Sequence, residues 1–342
     1  MRKNWLTNPW TLAAAGTGLL FVGKRLLERR LNIDGKVVLI SGGSRGLGLA
    51  MAEEFGRRGA KLVLLARDAQ ELMDAQKILA DEGIEAITIP CDITDERQVH
   101  EMVEQALRRV GQIDVLVNNA GIITAGPLQT LTREDFEYAM NDIFWGTLNM
   151  TMAVLPHMQE RKQGRIVNIA SIGGKVSVPR LLPYSSAKFA VVGFSEGLRA
   201  ELLRQGILVT TIAPGLMRTG STVNTIMKGA EHEQEYTWFT LLDTLPFSSI
   251  SAKRAAKQIV SATERGSAEV IISIQAQVLA RLHGLLPGTT SDLMALMNQL
   301  LPGKDDASKA TYTGKESETP VTQSPITTLG QKATQRYNEE KA

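Results

Sequence analysis

A short apolar run that leads directly into a glycine-rich turn constrains the fold of this 342-residue chain more than any other feature. The run, Val37-Val38-Leu39-Ile40, has the continuous β-branched character of a strand buried in a parallel sheet. Gly42, Gly46 and Gly48 follow it, and then comes a helical pattern over 49–58. Glycines at such a turn let the backbone approach a pyrophosphate, and the helix N-terminus supplies amide donors. The Gly-x3-Gly-x-Gly spacing therefore favours a dinucleotide-binding unit over an ordinary turn.

The rest of the chain alternates between strand and helix patterns. Apolar segments predict seven strands, near 37–41, 61–66, 84–90, 113–118, 165–171, 207–213 and 268–274. This order predicts a single α/β domain of the Rossmann type, with a doubly wound, mainly parallel sheet and a ligand crevice at the carboxyl ends of its strands. The hydrophobic content of 43% is enough to bury a large core.

A second pattern carries chemistry. Tyr184 and Lys188 stand four residues apart on a predicted helix, and Ser171 lies thirteen residues before Tyr184. Residues at i and i+4 share a helix face, so the ammonium would lie beside the phenol. A phenol with a pKa of about 10 is a poor base at neutral pH, and a neighbouring cation favours its phenolate. Taken alone, the pair is more typical of a solvated lysine beside a half-buried ring.

Together these motifs resemble the short-chain dehydrogenase/reductase family, and the resemblance extends from about Asn32 to Ile274. Asn118-Asn119-Ala120-Gly121 closes the predicted fourth strand and matches the family's Asn-Asn-Ala-Gly motif. Ser171 matches the catalytic serine, and the segment 214–219 matches the Pro-Gly-x3-Thr motif that holds the nicotinamide end. An ordered set of motifs is far more specific than any one of them.

The resemblance implies an enzyme that interconverts a carbonyl and an alcohol by hydride transfer. Tyr184 would be the general acid in reduction and the general base in oxidation, while Lys188 would lower its pKa and bind the nicotinamide ribose. Ser171 would hold the substrate oxygen. The implied cofactor-binding residues are Gly42, Ser44, Arg45, Gly46, Leu47, Gly48, Arg67, Asp92, Ile93, Asn119, Ala120, Gly121, Tyr184, Lys188, Pro214, Gly215 and Thr219.

One position departs from the family pattern. Counting back from Gly146, Ile143 stands where many members carry an active-site asparagine, which helps to seat a water in a proton relay to the lysine. Asn141 lies two residues away, which is about 200° around a helix, so it faces elsewhere. Backbone carbonyls could hold the water instead.

The end of the predicted second strand decides between NAD and NADP. Relatives specific for NAD place an acidic residue there, and a carboxylate would repel a 2′-phosphate. Here Ala66 takes that position and Arg67 follows, while Arg45 in the glycine turn matches a second basic position of NADP-preferring members. Two guanidiniums on one phosphate give charge-assisted recognition, which favours NADP(H). A one-residue shift of the alignment would instead bring Asp68 to the ribose and favour NAD.

Composition excludes several classes of protein. The net charge of +2 gives no electrostatic support to nucleic-acid binding. The single cysteine, Cys91, excludes an intramolecular disulfide and suits a reducing compartment. The four histidines show no metal-ligand spacing, so no metal is expected.

The N-terminal segment 1–30 is a candidate membrane anchor. It carries six basic residues and one acid, and the run from Trp5 to Gly23 is uncharged. Nineteen residues span about 28 Å as a helix, close to the thickness of a bilayer core. Asn8 and Pro9 weaken a spanning helix, so a helix in the membrane surface and a helix packed on the domain stay open. We expect membrane association with the catalytic domain on the cytoplasmic face; the alternative is a soluble cytoplasmic protein.

The predicted domain organisation places a catalytic domain at 31–275 and additions beyond it. Within the domain, 220–251 aligns with the mobile substrate lid of relatives and is rich in apolar and aromatic residues, which suggests a lipophilic ketone, aldehyde or alcohol. Residues 276–302 predict helices that pack on the core or on a subunit partner, and a substrate or membrane role is the less favoured alternative. Residues 303–342 are polar and predict a disordered tail.

Two further expectations follow from the resemblance. Relatives commonly pair through the helices that correspond to 132–161 and 184–204, so a homodimer or homotetramer is expected. The competing function is a non-catalytic NADP-binding sensor or scaffold, suggested by Ile143 and the added tails. Retention of Tyr184 and Lys188 favours the enzyme.

Overall fold

The computed structural model describes residues 30–302 and 307–339, and a sheet of seven parallel strands lies at its centre. The strands lie in the order β3-β2-β1-β4-β6-β7-β11. Their bounds are β1 Val37–Ser41, β2 Lys61–Ala66, β3 Ala86–Pro90, β4 Val115–Asn118, β6 Gly164–Ile169, β7 Ile207–Pro214 and β11 Glu269–Ile272. The predicted α/β class and doubly wound parallel sheet are confirmed.

Helices cover both faces of this sheet. They are α1 Gly46–Arg57, α2 Ala69–Ala80, α3 Glu96–Val110, α4 Arg133–Ala139, α5 Gly146–Glu160, α6 Leu182–Leu202 and α8 Ala252–Arg265. Along β1, Val38 and Ile40 point into the core under α1 and α8, whereas Val37 and Leu39 point into the core under α3 and α5. A strand buried on both faces must be apolar at every position, which explains the continuous run.

The register of the sheet brings separate motifs to one edge. β1 pairs in parallel with β4, and β4 pairs with β6 so that Asn118 lies opposite Asn168. The turns that follow these strands therefore meet at the carboxyl edge. The glycine turn, the loop beginning at Asn119 and the loop containing Ser171 all start there.

The segment that resembles a lid has secondary structure of its own. It includes β9 Ile226–Lys228, α7 His232–Thr244 and β10 Ile250–Ser251, and β10 pairs with β8 Met217–Arg218 just before the segment. β9 also pairs with β5 Thr124–Ala125, which follows the β4 loop. The lid is thus tied by backbone hydrogen bonds to the rim of the carboxyl edge.

The predicted disorder of the C-terminal tail is wrong for residues 307–339, which we call the C-terminal strap. Its strand β12 Thr311–Thr313 pairs antiparallel with β9, and its helix α11 Thr328–Arg336 lies against α7. Few apolar residues are needed, because the strap satisfies its polar groups internally: the buried hydroxyls of Ser317 and Thr327 donate to backbone carbonyls within it. Tyr337 adds a ring to the main hydrophobic core. The polar composition led to the prediction of disorder, because hydrogen bonds from hydroxyl groups to the backbone produce no periodic pattern in the sequence.

Residues 274–300 form a helical hairpin, α9 Ile274–Leu285 and α10 Pro287–Leu300. We call it the apolar hairpin. The sequence predicts that these helices pack on the core or on a subunit, but little of their surface is covered within the chain. Ala276 and Thr290 are the residues of the hairpin that are buried.

The predicted anchor at 1–30 lies outside the described residues, apart from Arg30. No helix between residues 30 and 302 or within the strap has the length and hydropathy to cross a bilayer.

Candidate active site

The backbone contacts around the glycine turn leave no room for a side chain at Gly42 or Gly48. A Cβ on Gly48 would lie 1.9 Å from the carbonyl oxygen of Gly42. A Cβ on Gly42, whose φ of +61° is left-handed, would lie 2.9 Å from Cα of Ala120. The Asn119 amide donates to the carbonyl oxygens of Ser41 and Gly42 at 3.2 and 3.0 Å. The first turn of α1 is therefore held against the loop after β4.

A single cavity of about 540 Å³ runs from this turn to Tyr184 and Lys188. Most of the predicted cofactor-binding residues line it. They are Gly42, Ser44, Arg45, Gly46, Leu47, Arg67, Ile93, Asn119, Ala120, Gly121, Tyr184, Lys188 and Thr219. One enclosed space thus joins the anion-binding end of α1 to the tyrosine–lysine pair.

The other predicted residues lie beside the cavity. Gly48 lies under the glycine turn, and the Asp92 carboxylate accepts two hydrogen bonds from Thr94, at 2.9 and 2.8 Å. Pro214 ends β7, and a Cβ on Gly215 would lie 2.7 Å from Ser273 Oγ at the start of α9. These positions support the wall of the cavity from outside.

Ser171, Tyr184 and Lys188 lie together, as the sequence predicts. Both Ser171 Oγ and the Tyr184 ring flank Gly173, because a Cβ there would lie 3.5 Å from the first and 3.4 Å from the second. Lys188 Nζ lies 5.6 Å from the centre of the Tyr184 ring and donates to the carbonyl oxygen of Ile169 at 2.8 Å. Ser171 Oγ accepts from the backbone N–H of Gly173 at 3.0 Å, which fixes its orientation.

Burial dominates the electrostatics of this group. It raises the pKa of the Tyr184 phenol, and a hydrogen bond from Ser171 lowers that pKa in part. Burial lowers the pKa of Lys188 to about 8, whereas the Asp142 carboxylate raises it. The ammonium therefore titrates close to neutral pH, and Asp142 favours its charged form.

The position of the missing asparagine is filled by packing. Ile143 is buried among Ala139, Ala170 and Val191. A Cβ on Gly121 would lie 3.3 Å from Ile143 Cγ1 and 3.6 Å from Lys188 Nζ, so the isoleucine borders the lysine. The chain between α4 and α5 is a π-helical turn over Met140–Trp145. It places an apolar group where relatives have an amide.

Asp142 is a site residue that the sequence analysis does not name. Its carboxylate is buried in the cavity wall, lies 4.0 Å from Arg67 Nη1 and accepts from the backbone N–H of Ile122. Burial raises its pKa, while Arg67 and Lys188 lower it. The indication available in the sequence is that Asp142 is next to Ile143. A π-helical turn has a different number of residues per turn from an α-helix, so it changes which neighbouring side chains face Lys188.

The two arginines at the adenosine end are paired with acids. Arg45 Nη1 donates to Glu71 at 3.0 Å, and Ser44 Oγ donates to the same carboxylate at 3.0 Å. Arg67 lies half-exposed across the cavity near Asp142. The Asp68 carboxylate caps α2 by accepting from the backbone N–H groups of Gln70 and Glu71. Asp68 is thus engaged at the start of α2, while Ala66 ends β2.

The end of the C-terminal strap lies on the glycine turn. Gly46 N–H donates to the Tyr337 carbonyl oxygen at 2.8 Å, and the Asn338 amide donates to the Ser44 carbonyl oxygen at 3.1 Å. Glu339 is buried in the cavity wall, where its carboxylate lies 3.6 Å from Arg45 Nε. A Cβ on Gly46 would lie 2.3 Å from Glu339 Oε1. A carboxylate therefore occupies the N-terminal end of α1. Nothing in the sequence pairs it with a turn almost three hundred residues earlier.

Comparison with known proteins adds independent findings. A family model described as short chain dehydrogenase matches residues 36–229. A dehydrogenase/reductase SDR family protein 7-like from Anopheles gambiae is 34% identical over 279 residues, which cover 79% of this chain and 86% of the relative. A fatty acyl-CoA reductase from Acinetobacter baylyi is 36% identical over 192 residues, which cover 56% of this chain and 65% of that protein.

A solved structure agrees with these matches. The crystal structure of a short-chain dehydrogenase from Streptomyces avermitilis superposes with a TM-score of 0.66 at 29% identity. The match covers 78% of this chain and 97% of the bacterial protein.

Docking of the strap should depend on pH through Glu339. Burial raises the pKa of this carboxyl from 4.5 to about 7. A raised carboxyl pKa means that the docked state holds the proton more tightly, so this contribution is complete below about pH 4.5 and is lost as the pH rises through about 7. Hydrogen-exchange protection of 328–339, corrected for intrinsic rates, should fall from about pH 5 to about pH 8.

Glu339→Gln should remove this fall, because an amide keeps the shape without the charge. Glu316→Gln is the matched control: Glu316 lies in the same strap, is exposed and has a lowered pKa, so the fall should persist. Equal protection of the unmodified chain at both pH values would contradict the assignment to Glu339.

Proposed function

The chain belongs to the short-chain dehydrogenase/reductase family, and on that premise we propose that it is an NADP(H)-dependent oxidoreductase that interconverts a carbonyl and an alcohol. The observation that carries the proposal is the cavity shared by the glycine turn and the Tyr184–Lys188 pair. A nicotinamide-dependent reaction requires a turn that binds an anion and, at the far end of the same cavity, a group that can exchange a proton.

The residues present fit such a cofactor. Gly42, Gly46 and Gly48 leave the backbone free of side chains where a pyrophosphate would contact the first turn of α1. Arg45 and Arg67 lie at the end of the cavity where an adenosine 2′-phosphate would be held. Glu339 is the one poor match, because a second anion near α1 would repel a pyrophosphate. Loading therefore requires that Glu339 be protonated or move out with the end of the strap.

A nicotinamide cofactor, when bound, supplies or accepts the hydride. The chain supplies the proton and the orientation: Tyr184 donates a proton to the substrate oxygen in reduction and accepts it in oxidation. Ser171, fixed by the Gly173 N–H, holds that same oxygen. The Lys188 ammonium stabilises the phenolate and is itself held by the Ile169 carbonyl oxygen.

Asp142 takes over part of the work of the missing asparagine. The Ile143 side chain can neither donate nor accept a hydrogen bond, so it cannot replace a side-chain amide in holding a water beside Lys188. The Asp142 carboxylate attracts the Lys188 ammonium electrostatically, and both side chains line the same cavity. We assign it the role of keeping Lys188 protonated, so that the lysine can return a proton to Tyr184.

The charges beside the carboxyl end of β2 support NADP rather than NAD. Asp68 caps α2, which leaves Ala66 and Arg67 at the carboxyl end of β2. Arg45 is held in the cavity by Glu71, and a phosphate would compete with that carboxylate for the guanidinium.

A lipophilic substrate fits the lid best. The segment 220–251 buries Tyr236 while leaving Trp238, Leu242 and Phe247 exposed, so apolar area is available on the outside of the lid. A relative with 36% identity is named a fatty acyl-CoA reductase, which agrees with an apolar substrate. We propose a long-chain or polycyclic ketone, aldehyde or alcohol.

Location and assembly are part of the proposal. The apolar segment between Trp5 and Gly23 would hold the enzyme at the cytoplasmic face of a membrane. Subunits would pair through α5 and α6, which carry the exposed side chains Met152 and Phe189, together with Trp145 in the turn just before α5. A surface of this kind is suited to a homodimer or homotetramer.

Tyr184→Phe should lower kcat by about a hundredfold or more, because general acid–base catalysis contributes that much, while NADPH binding stays intact. The measurement is NADPH consumption across ketones and aldehydes of graded chain length, with fluorescence titration for binding. Ser186→Ala, an exposed change on the same helix, is the control and should keep full turnover. Tight NADPH binding with no turnover on any substrate by the unmodified chain would favour the sensor function instead.

Arg67→Ala should weaken NADPH binding about tenfold and leave NADH binding unchanged, because a lost charge-assisted contact costs about 1.5 kcal/mol or more. Isothermal titration with both cofactors measures the difference. Arg97→Ala removes an exposed arginine on α3 and should alter neither affinity. Equal loss of NADH and NADPH binding would contradict a contact with the 2′-phosphate.

Asp142→Asn should shift the alkaline limb of kcat/KM to lower pH. The Asp142 carboxylate raises the pKa of Lys188, so its removal lets burial lower that pKa further below about 8. The charged lysine is then lost earlier as the pH rises. Profiles at saturating cofactor test this, with Glu137→Gln on exposed α4 as the control. An unmoved limb would exclude Asp142 from the control of Lys188.

A further inference from the structure

The apolar hairpin exposes a large hydrophobic surface. Nine of its large apolar side chains are between 44% and 78% exposed: Ile274, Val278, Leu282, Leu285, Leu286, Leu293, Leu296, Met297 and Leu300. Within 274–300 the only residues with a fixed charge are Arg281 and Asp292. Contiguous exposed apolar area of this kind marks a surface that binds a partner.

The spacing of these side chains shows that each helix has one apolar face. On α9 they recur at 274, 278, 282 and 285, and on α10 at 293, 296, 297 and 300. These intervals of three and four residues give one stripe along a helix. In a soluble domain such a stripe packs on the core, but here the stripes face outward. The hairpin is therefore built to be covered by something outside the described chain.

The hairpin also adjoins the proposed substrate lid. Gln275 at the start of α9 donates through its side-chain amide to the Phe247 carbonyl oxygen in the lid. Arg180, in the loop between Ser171 and Tyr184, donates to the Pro302 carbonyl oxygen just after α10. The exposed ring of Phe247 extends the apolar surface beyond the hairpin. Whatever covers the hairpin thus lies next to the lid.

The N-terminal segment joins the domain at the amino ends of the strands, near the start of β11. Leu31 N–H donates to the Glu264 carbonyl oxygen at 2.7 Å, in the last turn of α8. β11 begins five residues after Glu264, and a groove between Glu269–Ile271 of this strand and residues 277–284 of α9 shows that the hairpin lies along it. Arg30, the first described residue, therefore lies at this end of the sheet, and 29 residues precede it in the sequence. They contain the uncharged run 5–23 with basic residues on both sides.

An apolar surface beside basic residues matches a phospholipid bilayer with anionic headgroups. Burial of apolar stripes in the acyl boundary and attraction of lysine and arginine to phosphate act together at such a surface. The helices have 12 and 14 residues, hence about 18 and 21 Å, which is too short to cross a hydrocarbon core. They would lie in the plane of the interface.

A second copy of the chain explains the surface less well. The exposed residues on α5 and α6 already offer a face for subunit pairing, separate from the hairpin. Among the described residues α10 is supported mainly by α9, and its buried Thr290 contacts His283 of α9. A rigid protein partner would therefore meet a weakly supported helix. A fluid interface places no such demand on shape.

We propose that the apolar hairpin, with Phe247 beside it, docks on the surface of a phospholipid bilayer. This contact is separate from the N-terminal segment and needs no particular reaction at the active site. If the proposed lipophilic substrate is correct, docking brings the lid next to the phase in which that substrate dissolves.

The test uses the full chain with one fluorophore. Cys91, the only cysteine, is buried, and burial raises its thiol pKa to about 11, so a new exposed cysteine can be labelled selectively. Leu296→Cys, carrying an environment-sensitive nitrobenzoxadiazole group, should shift its emission to the blue when vesicles of phosphatidylcholine and phosphatidylglycerol are added. Brominated lipid in the vesicles should then quench it. Glu101→Cys, exposed on α3 in the half of the sheet away from β11, is the matched control and should do neither.

Each other outcome overturns the proposal. Vesicle binding without a change at position 296 would assign membrane contact to the N-terminal segment alone. A blue shift that grows with protein concentration in the absence of lipid would assign the hairpin to a second copy. The Tyr184→Phe experiment tests the proposed enzyme function, and its outcome does not affect the test of membrane docking.

Discussion

The close contact between the glycine turn and the loop after β4 is the constraint on which the rest of the site depends. Gly48 lies against the carbonyl of Gly42, and Gly42 lies against the backbone of Ala120, with no room for a Cβ at either glycine. This contact sets the N-terminal end of α1 at the carboxyl edge of the sheet, beside the loops that carry Ser171 and lead into α6, which carries Tyr184. Because the strands are parallel, these loops emerge at the same edge. A helix dipole and a proton-exchanging pair therefore share one cavity.

That cavity concentrates buried charge, and its charges are balanced within the chain. Lys188 is paired electrostatically with Asp142, and Asp142 lies near Arg67. At the other end, Arg45 lies between Glu71 and Glu339. Burying an unpaired charge is costly, so each arginine keeps an acidic neighbour until an anionic ligand replaces it. The carboxylate of Glu339 at the first turn of α1 stands where an anion is favoured by the dipole. Burial outweighs this attraction, because it raises the pKa of Glu339 to about 7, so the strap docks best with Glu339 protonated.

The sequence predicts the sheet and most of the cavity wall because both rest on local signals. A run buried on both faces must be apolar at each position, and a turn without space for Cβ must be glycine, so β1 and the turn after it are recognisable from a few residues. Asp142 and Glu339 escaped prediction for different reasons. Asp142 reaches the lysine through a π-helical turn, which ordinary helical spacing does not describe. Glu339 lies near one end of the sequence and Arg45 near the other. The strap that brings them together is held by hydrogen bonds from hydroxyl groups to the backbone, which produce no periodic pattern in the sequence.

The additions to the family fold meet at the lid. The strap pairs β12 with β9 and lays α11 on α7, while the hairpin contacts the loop at Phe247. The lid is therefore held from one side by a polar element and from the other by an apolar one. The hydrogen bonds of the strap stabilise it in water as long as both partners of each bond remain paired. The exposed apolar stripes of the hairpin, by contrast, gain free energy only when they are buried away from water. Segment 220–251 therefore lies between a polar element that pairs with it and an apolar element that is largely exposed. Motion of the strap end would also expose the first turn of α1, so access for an anionic cofactor and the packing of the lid are coupled through the same 33 residues, 307–339.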